Sequence, residues 1–290
     1  MNKENIIDYV VQTPHNPNKK VLDDMLETLI EENESASGVD INIVKDILER
    51  KATAVTVPNG VTELGSFAFY KHSTLEKIAL PSTLTTIGMN AFDSCNLLAL
   101  TSLPSGLTTI GSNAFKDCNS LALTSLPSGI TAIPSGAFEN CKVLALTSLP
   151  NGLTTIGSNA FKDCNSLALT SLPDGLTTIS SSAFDTCSKL VLTSLPDNIT
   201  NIGISAFQNC SKLALTSLPS SLTTISSYAF KNCTGLTTIT FQSIPSSIDS
   251  RSFDKCTNLT TINVPWAEGE VANAPWGATN ATINYNYTGA

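Results

Sequence analysis

Charged residues are scarce in this chain of 290 residues, because Asp, Glu, Lys and Arg together make up only 14% of it. Soluble domains usually contain about a quarter of such residues, so the polar surface must come mostly from Ser, Thr and Asn. The formal net charge is −8, which does not favour nucleic acid as a partner. Residues 1–50 contain 11 acids and 5 bases, so the remaining chain is nearly neutral.

Long apolar runs are also missing, and no stretch approaches the roughly 18 apolar residues of a membrane-spanning helix. The first residues, MNKENIIDYVVQ, lack the basic region and the following apolar region of a signal peptide. We therefore expect no membrane span and no signal peptide in this chain.

Material for catalysis is sparse as well. The two histidines are His15, in a predicted turn, and His72, at the cysteine position of the repeat, and a histidine that lacks a paired nucleophile is more often structural than catalytic. The acids of the later part of the chain, such as Asp93, Asp117 and Glu139, follow no paired scheme and alternate with lysines, which is typical of a solvated face. We expect no catalytic residues, no cofactor and no enzyme activity.

What the chain does have is repetition at an interval of 23 residues. A Phe, a Leu or Ile, a Pro and a Cys each recur at this interval. One unit of 23 residues is too short to bury its own apolar face. Successive units must therefore stack into a solenoid of about nine coils, each covering the next. The nine phenylalanines are Phe69, Phe92, Phe115, Phe138, Phe161, Phe184, Phe207, Phe230 and Phe253.

Each unit is predicted to contain a strand, a turn, a short extended segment and a bend. In LPSGLTTIGSNAFKDCNSLAL the strand ends at the Pro, which has no N–H for a β-ladder, and Ser-Gly supplies the turn. LTTI is extended, and NAFKDC is predicted to form one helical turn that directs Ala114, Phe115 and Cys118 to the core. The predicted fold is mainly β with short helical turns, and the strands of successive coils are parallel.

The repeat resembles a known family. Its pattern L-x-x-I-x-L-P-x-x-L-x-x-I-x-x-x-A-F-x-x-C, present from Leu75 to Cys95 as LEKIALPSTLTTIGMNAFDSC, is similar to that of the BspA-like leucine-rich repeat proteins of bacteria. The resemblance covers roughly residues 52–265 and implies a right-handed curved solenoid with a parallel sheet on its concave side. Members are typically surface proteins that bind host matrix proteins, other bacteria or other macromolecules, which suggests a cell-surface or extracellular location. The family motif contains no catalytic residues.

Six middle units depart from the family pattern at LALTSLP, first found at residues 98–104 and present once with Val in place of Ala, at residues 190–196. Their leucines are spaced two and then three residues apart, whereas the flanking units have the spacing three and then two. Strand alternation would turn Thr101 inward and expose Leu100, while a bulge-like shift would bury Leu100 and expose Thr101. Since each buried Leu contributes roughly 1.5 to 3 kcal/mol, we favour the inward leucine. The alternative is an exposed stripe of leucines that mediates binding or self-association.

The cysteines form a column. Neighbours would lie about 5 Å apart on parallel Cα–Cβ vectors, which is too far for the roughly 3.8 Å between the Cβ atoms of a disulfide. A straight column also lacks the tetrahedral convergence of a zinc site. We predict free, buried thiols and no metal at Cys95, Cys118, Cys141, Cys164, Cys187, Cys210, Cys233 and Cys256.

The two ends differ from the repeats. Apolar residues at helical spacing predict a helical hairpin over residues 1–36, a possible attachment segment, and a capping helix over 37–51. Residues 266–290, with Trp266 and Trp276, are predicted to cap the solenoid of residues 52–265. Both ends also resemble, more loosely, parts of prophage structural proteins.

The main hypothesis is a non-enzymatic, adhesin-like scaffold that binds a protein or glycan of a host or bacterial surface. The alternative is a structural or receptor-binding component of a phage-like particle, attached and oligomerised through residues 1–50. With the leucines buried, the concave face would present an uncharged array of hydroxyls as the binding site. These residues are Thr101, Ser102, Thr124, Ser125, Thr147, Ser148, Thr170, Ser171, Thr193, Ser194, Thr216 and Ser217.

Overall fold

The computed structural model describes residues 50–289. The helices predicted for residues 1–36 and for most of 37–51 lie outside the described residues. Within residues 50–289 the regular elements are all short strands, and every pair of strands is parallel, as predicted.

The strands form two rows that run along the stack. The first row comprises the strands that precede the repeating Pro and the strands that pair with them in later coils. These are β1 (Ala54–Thr56), β3 (Lys77–Ala79), β10 (Ser217–Leu218), β12 (Thr238–Phe241), β14 (Thr261–Asn263) and β15 (Thr282–Asn284). The second row has one two-residue strand in each of nine coils: β2 (Glu63–Leu64), β4 (Thr86–Ile87), β5 (Thr109–Ile110), β6 (Ala132–Ile133), β7 (Thr155–Ile156), β8 (Thr178–Ile179), β9 (Asn201–Ile202), β11 (Thr224–Ile225) and β13 (Ser247–Ile248).

The first row is interrupted in the middle of the stack. β1 pairs with β3, and β10, β12, β14 and β15 form a second sheet in that order. Between β3 and β10 the described chain has no strand at this position, so the continuous parallel sheet implied by the family resemblance is absent there.

The core of the solenoid consists of stacked side-chain columns. The nine phenylalanines are at most 1% exposed. Their rings stack face to face with centroids 5.1 to 5.6 Å apart. The Leu or Ile of LTTI, the Ala that precedes most of the Phe residues and the Cys that follows them are buried on the same side. The regular repetition therefore produces one continuous hydrophobic core, as expected for a solenoid.

The helical turn predicted for NAFKDC is not formed. Residues 111–118 instead make successive turns, in which the N–H groups of Ala114, Lys116 and Cys118 each donate to the carbonyl three residues earlier. Asn113 and Asp117 have φ values of +55° and +57°, a left-handed conformation that ends any helix. The alternate N–H groups, including that of Phe115, donate to the next coil, so this side of the stack is a ladder of turns.

A tenth, shortened coil follows the nine predicted ones. Trp276 lies one repeat length after Phe253, and the Phe253 N–H donates to the Trp276 carbonyl at 2.9 Å. Trp266 and Trp276 are buried and pack against Phe241 at ring distances of 5.3 and 5.7 Å. β15 then pairs with β14 and extends the sheet by one strand.

Candidate functional site

The twelve Thr and Ser residues of the six LALTSLP copies share one face of the stack, which we call the hydroxyl surface. Eleven of them are exposed, and Ser217, which lies in β10, is half-buried. The structure therefore presents each predicted site residue on the same side of consecutive coils.

These residues face outward because the leucines beside them face inward. Leu123, Leu146, Leu169, Leu192 and Leu215 are all at most 1% exposed, and Leu100, in the first copy, is partly buried against the same core. The structure agrees with the favoured inward placement and not with the exposed leucine stripe.

The inward leucines are accommodated by a bulge-like departure from strand geometry. Between β1 and β3 the bonds run in both directions, from the Lys77 N–H to the Thr53 carbonyl and from the Val57 N–H to the Ala79 carbonyl. In the middle coils one bond per coil is found at this position in the described chain, for example from the Ala145 N–H to the Leu123 carbonyl at 3.2 Å. The loss of the other bonds breaks the ladder, as at a bulge.

The backbone N–H groups around the Thr-Ser pairs are consequently left without hydrogen bonds in the described chain. Among the described residues, no acceptor is found for the N–H groups of residues 100–103 or of their equivalents 123–126, 146–149, 169–172 and 192–195. The N–H groups of the Thr-Ser pairs belong to exposed residues, whereas those of Leu123, Leu146 and their equivalents in the next two coils belong to residues that are 0% exposed and are closed to a partner. These unpaired N–H groups were not predicted from the sequence, although the two-then-three spacing of the leucines was the signal for them.

The hydroxyls themselves are also free of partners within residues 50–289. The threonines of the second strand row differ, because several of them bind the preceding coil. Thr85 and Thr223, for example, donate through Oγ1 to the carbonyls of Thr62 and Thr200 at 3.0 and 2.9 Å. The described chain thus contains two threonine rows. The row in the LTTI segments includes threonines that donate hydrogen bonds to the preceding coil, whereas the row of the hydroxyl surface is exposed to solvent.

The hydroxyl surface carries no charge. The nearest ionisable residues along the chain are Asp174 and Asp197, three positions after the Ser of two copies, and Lys189 and Lys212, four positions before the Thr of two copies. Most other charges lie on the side formed by the turn ladder, where Lys116 Nζ is 3.2 Å from Glu139 Oε2. Binding at the hydroxyl surface would therefore depend on hydrogen bonds and contact area rather than on ion pairs.

The cysteine column is a structural feature. All eight cysteines are free and buried, and each Sγ donates to the carbonyl of a Phe in the preceding coil at 2.9 to 3.0 Å, as Cys118 does to Phe92. Burial raises the pKa of every one of these thiols, and that of Cys95 rises to about 12. A thiol held protonated in this way is a poor nucleophile and a poor metal ligand.

His72 occupies the cysteine position in the first described coil and is 1% exposed. Its Nε2 lies 2.9 Å from the Ala52 carbonyl, and burial lowers its pKa. Across residues 50–289, no three His, Cys, Asp or Glu side chains are grouped so that they could hold a metal ion. The same part of the chain contains no helix long and apolar enough to cross a membrane.

Comparison with solved structures finds this chain similar to several bacterial proteins. The leucine-rich repeat protein of T. pallidum is 35% identical, with 56% of this chain and 78% of that chain covered and a TM-score of 0.49. A leucine-rich cell surface protein of Faecalibacterium prausnitzii is 26% identical, with 82% and 79% covered and a TM-score of 0.46. The pneumococcal vaccine antigen PcpA is 21% identical, with 81% and 68% covered and a TM-score of 0.54, which indicates a shared fold only.

No curated protein matches this sequence at a significant level. The sequence profile described as "BspA type Leucine rich repeat region (6 copies)" does match, once over residues 48–168 and again over 144–260. Together these matches cover well over half of the chain, and they coincide with the stacked coils. The protein therefore belongs to the BspA-type leucine-rich repeat family.

Proposed function

We propose that this protein is a non-enzymatic scaffold that binds a protein or glycan of a host or bacterial surface through the hydroxyl surface. One observation carries the proposal: the Thr-Ser pairs of six consecutive coils are turned to solvent, and their hydroxyls have no partner in the described chain. Proteins built of stacked repeats use such extended faces for binding.

The chemistry of this surface suits a broad contact. Thr and Ser hydroxyls both donate and accept hydrogen bonds, and these short side chains lose little conformational entropy when a partner orders them. The unpaired N–H groups of the exposed Thr and Ser residues supply further candidate donors in five coils. Small-molecule sites, by contrast, are concave and mostly apolar.

Catalysis finds little support in the described residues. The thiols are buried and protonated, and His72 is buried with its Nε2 bonded to a backbone carbonyl. The buried acids Asp93 and Asp185 are bound to neighbouring side chains, namely Ser94 and Thr186. These groups stabilise the coils and are not arranged around a shared reaction centre.

A set of four substitutions tests the proposal. Changing Thr147, Ser148, Thr170 and Ser171 to Lys places four large charges in the centre of the hydroxyl surface. We expect loss of binding to whichever member of a panel of immobilised glycans and extracellular-matrix proteins binds the unmodified protein. Because the surface is uncharged, binding should also change little between low and moderate salt.

The matched control carries the same four charges on the other strand row. Thr109, Ala132, Thr155 and Thr178 lie at outward positions of β5 to β8 in overlapping coils. Lysines there should leave binding intact. Equal loss of binding in both variants would show a nonspecific effect of charge. Unchanged binding in the variant with lysines on the hydroxyl surface would mean that the binding site lies elsewhere.

The alternative function is a component of a phage-like particle attached through residues 1–50. The concentration of negative charge in that segment, 11 acids against 5 bases, sets it apart from the repeats and favours a separate role. Sedimentation of the full chain distinguishes the two proposals. A defined oligomer that disappears on removal of residues 1–50 supports the particle component, and a monomer supports the independent adhesin.

A further inference from the structure

The sequence contains two Asn-Gly pairs, Asn59-Gly60 and Asn151-Gly152, and each follows a Pro. Both pairs occupy the middle of a turn closed by a backbone bond. The Val61 N–H donates to the Pro58 carbonyl at 3.4 Å, and the Leu153 N–H donates to the Pro150 carbonyl at 3.0 Å. A Gly after Asn leaves its nitrogen unshielded, because no Cβ blocks the approach to the Asn side chain. The two sites thus share the same local sequence and a closed turn, although Gly60 has a φ of +101° and Gly152 does not adopt a positive φ.

The two sites differ in the hydrogen bond of the glycine nitrogen. The Gly60 N–H donates to Thr83 Oγ1 of the next coil at 3.2 Å. At the equivalent place beside Gly152 the next coil has Gly175, which has no hydroxyl, and the Gly152 N–H has no acceptor among the described residues. The space around both glycines of the Asn-Gly pairs is open, since a Cβ at either would meet no atom within 4 Å.

We propose that Asn151 is a selective site of spontaneous deamidation in the folded protein. The Gly152 nitrogen attacks the side-chain carbonyl carbon of Asn151 and forms a new C–N bond, which closes a succinimide ring. The side-chain nitrogen departs as ammonia and takes up the proton that the Gly152 nitrogen loses. Water then opens one of the two C–N bonds of the ring and leaves either aspartate or isoaspartate.

The modification changes the border of the hydroxyl surface. Asn151 is exposed and follows Ser148 by three positions, so the new carboxylate lies next to the Thr-Ser pair of its coil. Exposed acids already occupy the same position in the next two coils, as Asp174 and Asp197. The folded protein therefore accommodates the product side chain, and deamidation extends this acidic row to three consecutive coils.

The test measures the rate at each asparagine in the intact chain at mildly alkaline pH. Tryptic peptides 52–71 and 143–162 separate Asn59 from Asn151, and fragment masses locate the deamidated residue. We expect Asn151 to react roughly fivefold faster, which is the rate ratio for a hydrogen bond of about 1 kcal/mol that must break at Gly60 before attack. In concentrated urea the two rates should become equal, because both asparagines lie in the tripeptide Pro-Asn-Gly.

Two variants test the cause. Thr83→Val removes the acceptor of Gly60, together with the bond from Thr83 Oγ1 to the Val61 carbonyl, and should raise the rate at Asn59 towards that at Asn151. Gly175→Thr supplies the missing hydroxyl and should slow the reaction at Asn151. Equal rates in the folded protein, or rates that neither variant alters, would overturn the proposal. None of these outcomes depends on the proposed binding function.

The fold accepts a hydroxyl side chain at the position of Gly175. Thr83 and Ser221 occupy the same position of other coils. A Cβ at Gly175 would lie 3.0 Å from the Leu153 carbonyl oxygen, so the backbone at Leu153 must shift by a small distance. Gly175→Ser is therefore the second variant, with a smaller side chain. Because Ser221 Oγ donates to the Ile199 carbonyl, Gly175→Ser should slow the reaction less than Gly175→Thr does. A melting temperature for each variant shows that the coil is intact.

Discussion

Replacing Leu146 by Ala should destabilise the solenoid strongly, whereas replacing the adjacent Thr147 by Ala should not. Leu146 is 0% exposed in the centre of the stack, and its truncation leaves a cavity flanked by two coils. Such truncations cost about 2 to 5 kcal/mol of the free energy of unfolding. Thr147 is exposed and makes no hydrogen bond within the described chain, so its truncation should stay within about 0.5 kcal/mol.

Urea unfolding followed by circular dichroism gives the measurement. With a slope of about 3 kcal/mol per molar urea, the midpoint of the Leu146→Ala variant should fall by roughly 0.7 to 1.7 M. The Thr147→Ala midpoint should move by less than about 0.2 M. The opposite ranking, with the threonine variant the less stable, would show that Thr147 faces the core and that the hydroxyl surface does not exist as described.

Four further predictions concern other parts of the molecule. A thiol reagent should label almost no cysteine in the native protein and all eight after denaturation without reduction, since the thiols are free and buried; fewer than eight would indicate disulfides. Burial lowers the pKa of His72 below its ordinary 6.5, so the folded state binds this proton less well than the unfolded state, and stability should fall as the pH decreases from 7 to 5. The His72→Gln variant should flatten this dependence, and an unchanged slope would assign it to other groups. Thr186 has a φ of +64°, which is strained for a β-branched residue. Thr186→Asn should therefore raise the free energy of unfolding by about 1 kcal/mol, as measured in a thermal melt. A lower stability would mean that the hydrogen bonds of the Thr186 hydroxyl matter more than the strain. Removal of residues 1–36 should leave the cooperative unfolding of the repeats intact, and its loss would make that segment part of the solenoid cap.

The sequence was sufficient to predict the stacked coils and their core. The constant interval between repeats identified the Phe column, the buried cysteines and the parallel pairing, because each of these follows from one coil covering the next. The same interval also marked Trp276 as the start of a tenth coil. This tenth coil was not predicted because Trp276 occupies the position at which every other unit has a Phe.

Local backbone geometry was harder to predict. NAFKDC has the composition of a helical turn, and its conformation depends on left-handed φ values at Asn113 and Asp117. Asn and Asp tolerate that conformation, but the sequence does not show that they adopt it, since it is set by bonds to the neighbouring coil. The interruption of the first strand row had a similar origin, because the leucine spacing allowed two placements and only packing decided between them.

The open backbone of the hydroxyl surface is possible because other sides of each coil hold the stack together. Around Phe115, for example, the N–H groups of Asn113, Phe115 and Asp117 donate to the next coil at 2.8 to 3.0 Å. In the second strand row the Gly157 N–H donates to the Ile133 carbonyl at 2.8 Å. Coil spacing is therefore fixed without the bonds that a regular strand would have made at the Thr-Ser pairs.

A rigid spacing has a direct consequence for binding. The centroids of the stacked Phe rings of successive coils lie 5.1 to 5.6 Å apart, so the exposed hydroxyls recur at nearly constant intervals along the stack. A partner with its own regular array of acceptors or donors can meet them without ordering the scaffold, which lowers the entropic cost of association. Each hydrogen bond contributes little by itself, and the number of coils engaged determines the affinity. Under the proposed function, the interrupted strand pairing of the middle coils would leave unpaired groups beside the hydroxyls for a partner to bind.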